Sequence, residues 1–264
     1  MGPSFQILGT SHAGSWKDFV EGDDWPGEDY ARFSFFSLSG KYFGDLTYDI
    51  ETGRFGTFEE DPPAIVVEKL LENNESLNVP VDPDVPVVFL GVHDGREKAL
   101  ECLLFHRLHG GKEPGDDVAL ISEPFFRTVA RDIVFATLSD HVKNFRDGQN
   151  TIVIPKPRRL TRHFHSKPKF AGLLDADEAL AEANAIIDEI IKEWARGEGV
   201  ELIMQPKETI DPNGMTKEEY RKEPTHKLNA AGELFEDTAH MNVEFAKLMI
   251  EELLAHTGSR GKDA

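Results

Sequence analysis

The chain has 264 residues, of which 39% are hydrophobic and 29% charged, with a formal net charge of −19 at pH 7. Those proportions describe a globular protein with one substantial core and exclude a disordered chain. The negative balance argues against nucleic acid or an anionic membrane surface as partner, because both are held through basic patches.

The opening Met-Gly-Pro-Ser-Phe-Gln has neither the basic nor the apolar region of a secretory signal, and Gln6 stands where myristoylation needs Ser or Thr. No run approaches the ~18 apolar residues of a membrane span, so the cytoplasm is the expected compartment. Residues 5–10 read as a short buried strand and 11–21 as a helix or helical turn opened by Ser11. A loop over 23–29 contains Trp25-Pro26-Gly27, and 31–38 form an aromatic-rich second strand closed by Ser39-Gly40. Residues 42–59 suggest a hairpin that turns at Glu51-Thr52-Gly53. Asp61-Pro62-Pro63 opens a helix to about Glu72, with an acidic cap and proline in the first turn.

A proline-punctuated loop over 78–86 precedes the continuous apolar run 87–92, the pattern of a strand covered on both faces. That run ends in Gly91-Val92-His93-Asp94-Gly95, and a helix follows over 96–108. It carries Cys102, the one cysteine, which reads as a buried structural thiol. After a loop over 110–117, Ser122-Glu123-Pro124 starts a long helix to about Arg146, and 151–155 form a fourth buried strand. Residues 157–174 are basic and irregular, in the manner of a lid or pocket rim. A capping box from Asp175 to Glu178 starts an amphipathic helix with Ala183, Ile187, Ile190, Ile191 and Trp194 on one face. Gly197 and Gly199 end it, 200–205 form the fifth strand, and 207–234 make a polar excursion. The last helix covers 242–255, with Val243, Ala246, Ile250 and Leu253 inward and Glu244, Lys247 and Glu251 outward.

Five short apolar strands separated by helices give an α/β domain with a parallel sheet and helices on both faces. One domain is expected over 1–264, with loop insertions at about 42–60, 155–175 and 207–234 and a frayed tail at 256–264. Ligands of such sheets bind beyond the carboxyl ends of the strands. That rule selects Ser11, Gly40, His93, the loop after Pro155, and the segment holding Asp237 and His240.

A serine at the first turn of a helix has free backbone N–H groups beside it that favour negative charge, so Ser11 is either a nucleophile or a helix cap. Asp237 and His240 are spaced as a base with its orienting carboxylate, or as a capping region with an incidental histidine. With these blocks in view, the chain resembles the SGNH (GDSL-type) hydrolase superfamily over essentially its whole length. The matching segments are Leu8-Gly9-Thr10-Ser11-His12, Ser37-Leu38-Ser39-Gly40, Gly91-Val92-His93-Asp94 and Asp237-Thr238-Ala239-His240. The Ser-His form of the first block resembles a prokaryotic subset, and His93 stands where the family has asparagine.

The resemblance implies a flavodoxin-like three-layer sandwich with a five-stranded parallel sheet. It implies ester hydrolysis or acyl transfer by Ser11, Asp237 and His240, with an oxyanion hole from the Ser11 and Gly40 backbone and His93. Gly44 is a weaker alternative to Gly40. The expected partner is a small acylated molecule, a carbohydrate by family-level analogy, with His12, Asp94, Arg162 and His163 as candidate substrate contacts and no metal or cofactor. Two rival readings remain. His163 and His165, with His12, His93 and Asp94, have the residue types of a mononuclear metal hydrolase. A catalytically silent binding domain on the same fold is the other. Arg158, Arg159, Arg162, His163 and His165 otherwise read as a solvated basic rim, which could orient an acidic substrate, and His106, His109, His141, His226 and His256 as surface residues.

Overall fold

The computed structural model describes residues 2–104, 106–108, 119–142, 150–161, 177–223, 227–228, 234–235 and 239–258. β1 (Ser4–Gly9) leads into α1 (Ala13–Val20), β2 (Arg32–Ser37) and the short α2 (Gly40–Phe43). β3 (Thr47–Asp49) and β4 (Arg54–Gly56) form the expected hairpin, followed by α3 (Ala64–Asn74) and β5 (Asn78–Pro80). β6 (Val87–Val92) precedes α4 (Arg96–Leu100), a 3-10 turn over Glu101–Leu104, β7 (His106–Leu108) and β8 (Ala119–Ile121). Next come α5 (Glu123–Val142), β9 (Thr151–Pro155), α6 (Asp177–Glu198) and β10 (Glu201–Leu202). The ribbon β11 (Lys227–Leu228) and β12 (Leu234–Phe235) precedes α7 (Val243–Gly258).

The main sheet has the order β10-β9-β6-β1-β2, and every pairing in it is parallel. Numbered among themselves these strands run 5-4-3-1-2, the flavodoxin-like order, whose switch point falls between β1 and β6. The period-two alternation of the strands divides the apolar residues between two cores. Phe5, Ile7, Val88, Leu90, Ile152 and Ile154 face α1 and α7, while Leu8, Val87, Phe89 and Val153 face the other helical layer. On the first side, Trp16 and Phe19 of α1 pack in one cluster with Phe245, Met249, Ile250 and Leu253 of α7. Each such side chain contributes roughly 1.5–3 kcal/mol when fully buried, so the two ends of the chain are strongly docked.

Several sequence expectations are corrected. The helix expected over 96–108 stops early: Ala99, Leu100 and Leu103 are buried at helical spacing, but Leu108 is buried too. Five residues at about 100° each would carry Leu108 away from that face, and β7, paired in parallel with β8, buries it instead. Residues 78–80 are not loop but the outer strand β5, where Pro80 is tolerated at the edge. No acid caps α3; Pro63, extended at ψ 129, is its N-cap, so the helix begins only at Ala64. The fifth strand is shorter than 200–205. Gly197 lies within α6, leaving Gly199, at φ +68, to end it. Val243 is 37% exposed rather than inward. Cys102 is half-buried, and burial pushes its thiol up. His256, read as a surface residue, has a side chain 38% exposed that meets Glu201 at 2.7 Å.

Candidate active site at the carboxyl edge of the sheet

Ser11 is exposed on the turn that joins β1 to α1, where Ala13 N–H donates to Thr10 O at 2.9 Å. No side chain caps α1, so the serine is not spent on the helix. Its Oγ lies 2.7 Å from Nε2 of His240, a residue 229 positions away. With the His240 proton on Nδ1, the hydroxyl donates to Nε2, the geometry a base needs to take its proton. His240 itself is held by a backbone clasp: Lys222 N–H donates to its carbonyl at 3.1 Å, and Asn242 N–H donates to Tyr220 O at 2.8 Å. Asn242 then caps α7, its Oδ1 accepting from Phe245 N–H at 3.0 Å. Asp237, Arg162, His163 and His165 lie outside the described residues.

Across the switch point, β6 comes unusually close to the Ser11 turn. Gly91 sits at φ +74 where the β6–β9 register shifts, and a Cβ there would stand 2.5 Å from Thr10 Oγ1 and 2.8 Å from His12 Cβ. Thr10 Oγ1 donates to Gly91 O at 3.0 Å, stitching the two strand ends together. Gly40 is constrained similarly, since a Cβ would stand 2.9 Å from His93 Nε2. The strand-end rule therefore does bring Ser11, Gly40 and His93 to one edge. The Ser11 and Gly40 backbone N–H groups donate to no protein acceptor among the described residues. Gly44 closes the far end of α2.

His93 is half-buried, and burial, followed by the nearby Lys156 charge, pushes its imidazole below the ordinary value. It is therefore neutral at pH 7, with a single ring N–H. His12 is buried at 8% exposure rather than presented to solvent, with its ring 5.0 Å from that of His240. Burial first, then the His240, Lys156 and Arg159 charges, push it well below the ordinary value. It adds packing beside His240 without adding charge.

Asp94 is not presented to solvent either. It is buried, and its two oxygens accept from Arg96 N–H at 3.0 Å and Arg96 Nε at 3.2 Å. Arg96 also reaches Asn184 and, at 2.6 Å, Asp188. Arg158 binds the other Asp188 oxygen and Gly214 O, so it belongs to a buried ion network and not to a solvated rim. Arg159 is likewise drawn in, its Nε 2.6 Å from Glu97, which Lys156 meets at 2.9 Å. Burial works against the Glu97 charge, but Lys156 and Arg159 outweigh it and hold the carboxyl at about 2. Lys156 directly follows β9, so the strand-end rule could have singled it out; the partners Glu97 and Asp188 carry no such local signal.

No family model and no curated protein matches this chain. Solved structures do. The chain is similar to an extracellular lipase from Streptomyces rimosus, at 14% identity over 98% of this chain and 99% of that one, with a TM-score of 0.43. It is similar to phospholipase A1 from Streptomyces albidoflavus, at 10% identity over 97% and 99%, TM-score 0.43. A GDSL-like lipase from Bacteroides thetaiotaomicron matches at 10% identity over 96% and 88%, TM-score 0.41.

Among the described residues, no three His, Cys, Asp or Glu side chains come together as a metal-binding group. No described helix is long and apolar enough to cross a membrane.

Proposed function

We propose that this chain is a serine esterase or acyltransferase of the SGNH type, acting on a small acyl ester. The observation that carries the reading is the 2.7 Å approach of Ser11 Oγ to His240 Nε2 between two ends of the chain. Ser11 attacks the ester carbonyl while His240 takes its proton. Asp237, three residues before the base, holds the Nδ1 proton and steadies the imidazolium. The negative charge on the carbonyl oxygen is received by the Ser11 and Gly40 N–H groups, with His93 as third donor. Collapse of the adduct expels the alcohol, which takes the proton from His240. Water then releases the acyl group, or a second alcohol accepts it through the same base. A fluorophosphonate probe tests the reading directly: stoichiometric labelling mapped to Ser11, with p-nitrophenyl acetate turnover, is expected. Absence of both would leave a silent binding domain as the better account.

A further inference from the structure

The buried charges beside the site do not cancel evenly. Asp94 and Asp188 are matched by Arg96 and Arg158 in a closed network of two acids and two cations. Next to it, Lys156 and Arg159 share a single described carboxylate, Glu97. One positive charge is therefore left over in a chain of net charge −19. Its location is fixed by the sheet, since Lys156 N–H donates to Val92 O at 2.8 Å, the residue immediately before His93. The Lys156 and Arg159 side chains are largely buried, at 9% and 16% exposure, so solvent screens their charges weakly. They also retain donors. Lys156 has three N–H groups and uses one on Glu97, while Arg159 binds Glu97 through Nε and Nη2 and keeps Nη1. Both cations act on the His93 and His12 imidazoles, which places their field over the edge where the ester would lie.

We infer that Lys156 and Arg159 form an anion subsite beside His93, so that the preferred substrate is an ester bearing a carboxylate or similar anion near the ester bond. The inference rests on the esterase reading above. Glu97 acts in it as a counter-charge that limits anion binding and fixes the two cations in place. An uncompensated charge about 6 Å from a bound anion, in a setting of intermediate dielectric, amounts to roughly tenfold in binding.

Matched aryl acetates test it: 4-acetoxybenzoate against the neutral 4-acetoxytoluene, each rate divided by its uncatalysed hydrolysis rate. The carboxylate ester should be favoured about tenfold in kcat/KM. Arg159→Gln should pull that ratio toward one, and Glu97→Gln should raise it, so the two variants move in opposite directions from the same salt-bridge contact. A ratio near one that neither variant shifts would overturn the subsite while leaving the esterase intact. If neither ester is turned over, the esterase reading itself has failed.

Discussion

At the ends of β1 and β6, two sets of polar side chains lie at the same edge of the sheet and are built on different terms. Around Ser11 the serine is exposed, and its one described side-chain contact is with His240. Around Asp94 the groups are buried, and Arg96 alone reaches three partners, Asp94, Asn184 and Asp188. An exposed pair can exchange protons with a substrate at little cost in stability. A buried ion network cannot give up a member, because the partner left behind is an uncompensated charge. Activity and stability should therefore separate cleanly between the two sets.

The largest separation is expected at Ser11. Ser11→Ala should lower p-nitrophenyl acetate turnover by roughly 10⁴-fold or more while the melting temperature stays within a degree or two of the parent. Turnover within tenfold of the parent would dismiss Ser11. The converse is Arg96→Met, which strands Asp94 and one oxygen of Asp188; it should cost about 3–5 kcal/mol in denaturant unfolding. A cost near zero would mean that the network is solvated after all. His93 lies between the two sets. His93→Ala should reduce kcat about 10²–10³-fold if the ring donates to the oxyanion, and His93→Asn should restore much of it. A drop in melting temperature with kcat preserved would instead assign His93 to packing.

The smallest effect concerns pH. His12 is held neutral in the fold, below the ordinary value of 6.5. Between that value and its lowered folded one, the unfolded chain binds the extra proton. Stability should be fully present above about pH 6.5 and decline as the pH falls below it, with His93 adding in the same direction. His12→Asn should flatten the decline measured by thermal melts between pH 7 and 5. An unchanged slope would mean that the ring takes up a proton without leaving its place.

The sheet is legible in the sequence because it follows local rules, and the meeting of Ser11 with His240, 229 positions apart, because the four blocks resemble a known family. Apolar runs such as 87–92 mark covered strands, and reactive residues gather just after them. What was illegible depends on pairing across long separations. Arg96 and Asp188 are 92 positions apart, and Arg158 and Asp188 are 30 apart, with no spacing that announces the contact. Charged residues are ordinarily solvated, so Arg158 and Arg159 read as a rim in the sequence, whereas in the fold Asp188 and Glu97 draw them in. The break after α4 was missed for a related reason: Leu108 fits no helical face, but its burial is decided by the strand pair β7 and β8.

The backbone clasp and the docking of α7 also carry a consequence in time. During synthesis the serine, its turn and most of the sheet are made long before residue 240 exists. A growing chain thus carries Ser11 without the His240 imidazole that its hydroxyl meets in the finished fold. Only when α7 settles against α1, burying Phe245, Met249 and Leu253 with Trp16, does Nε2 arrive beside Oγ. On the proposed reading, probe labelling of Ser11 would therefore report the docking of α7 against α1.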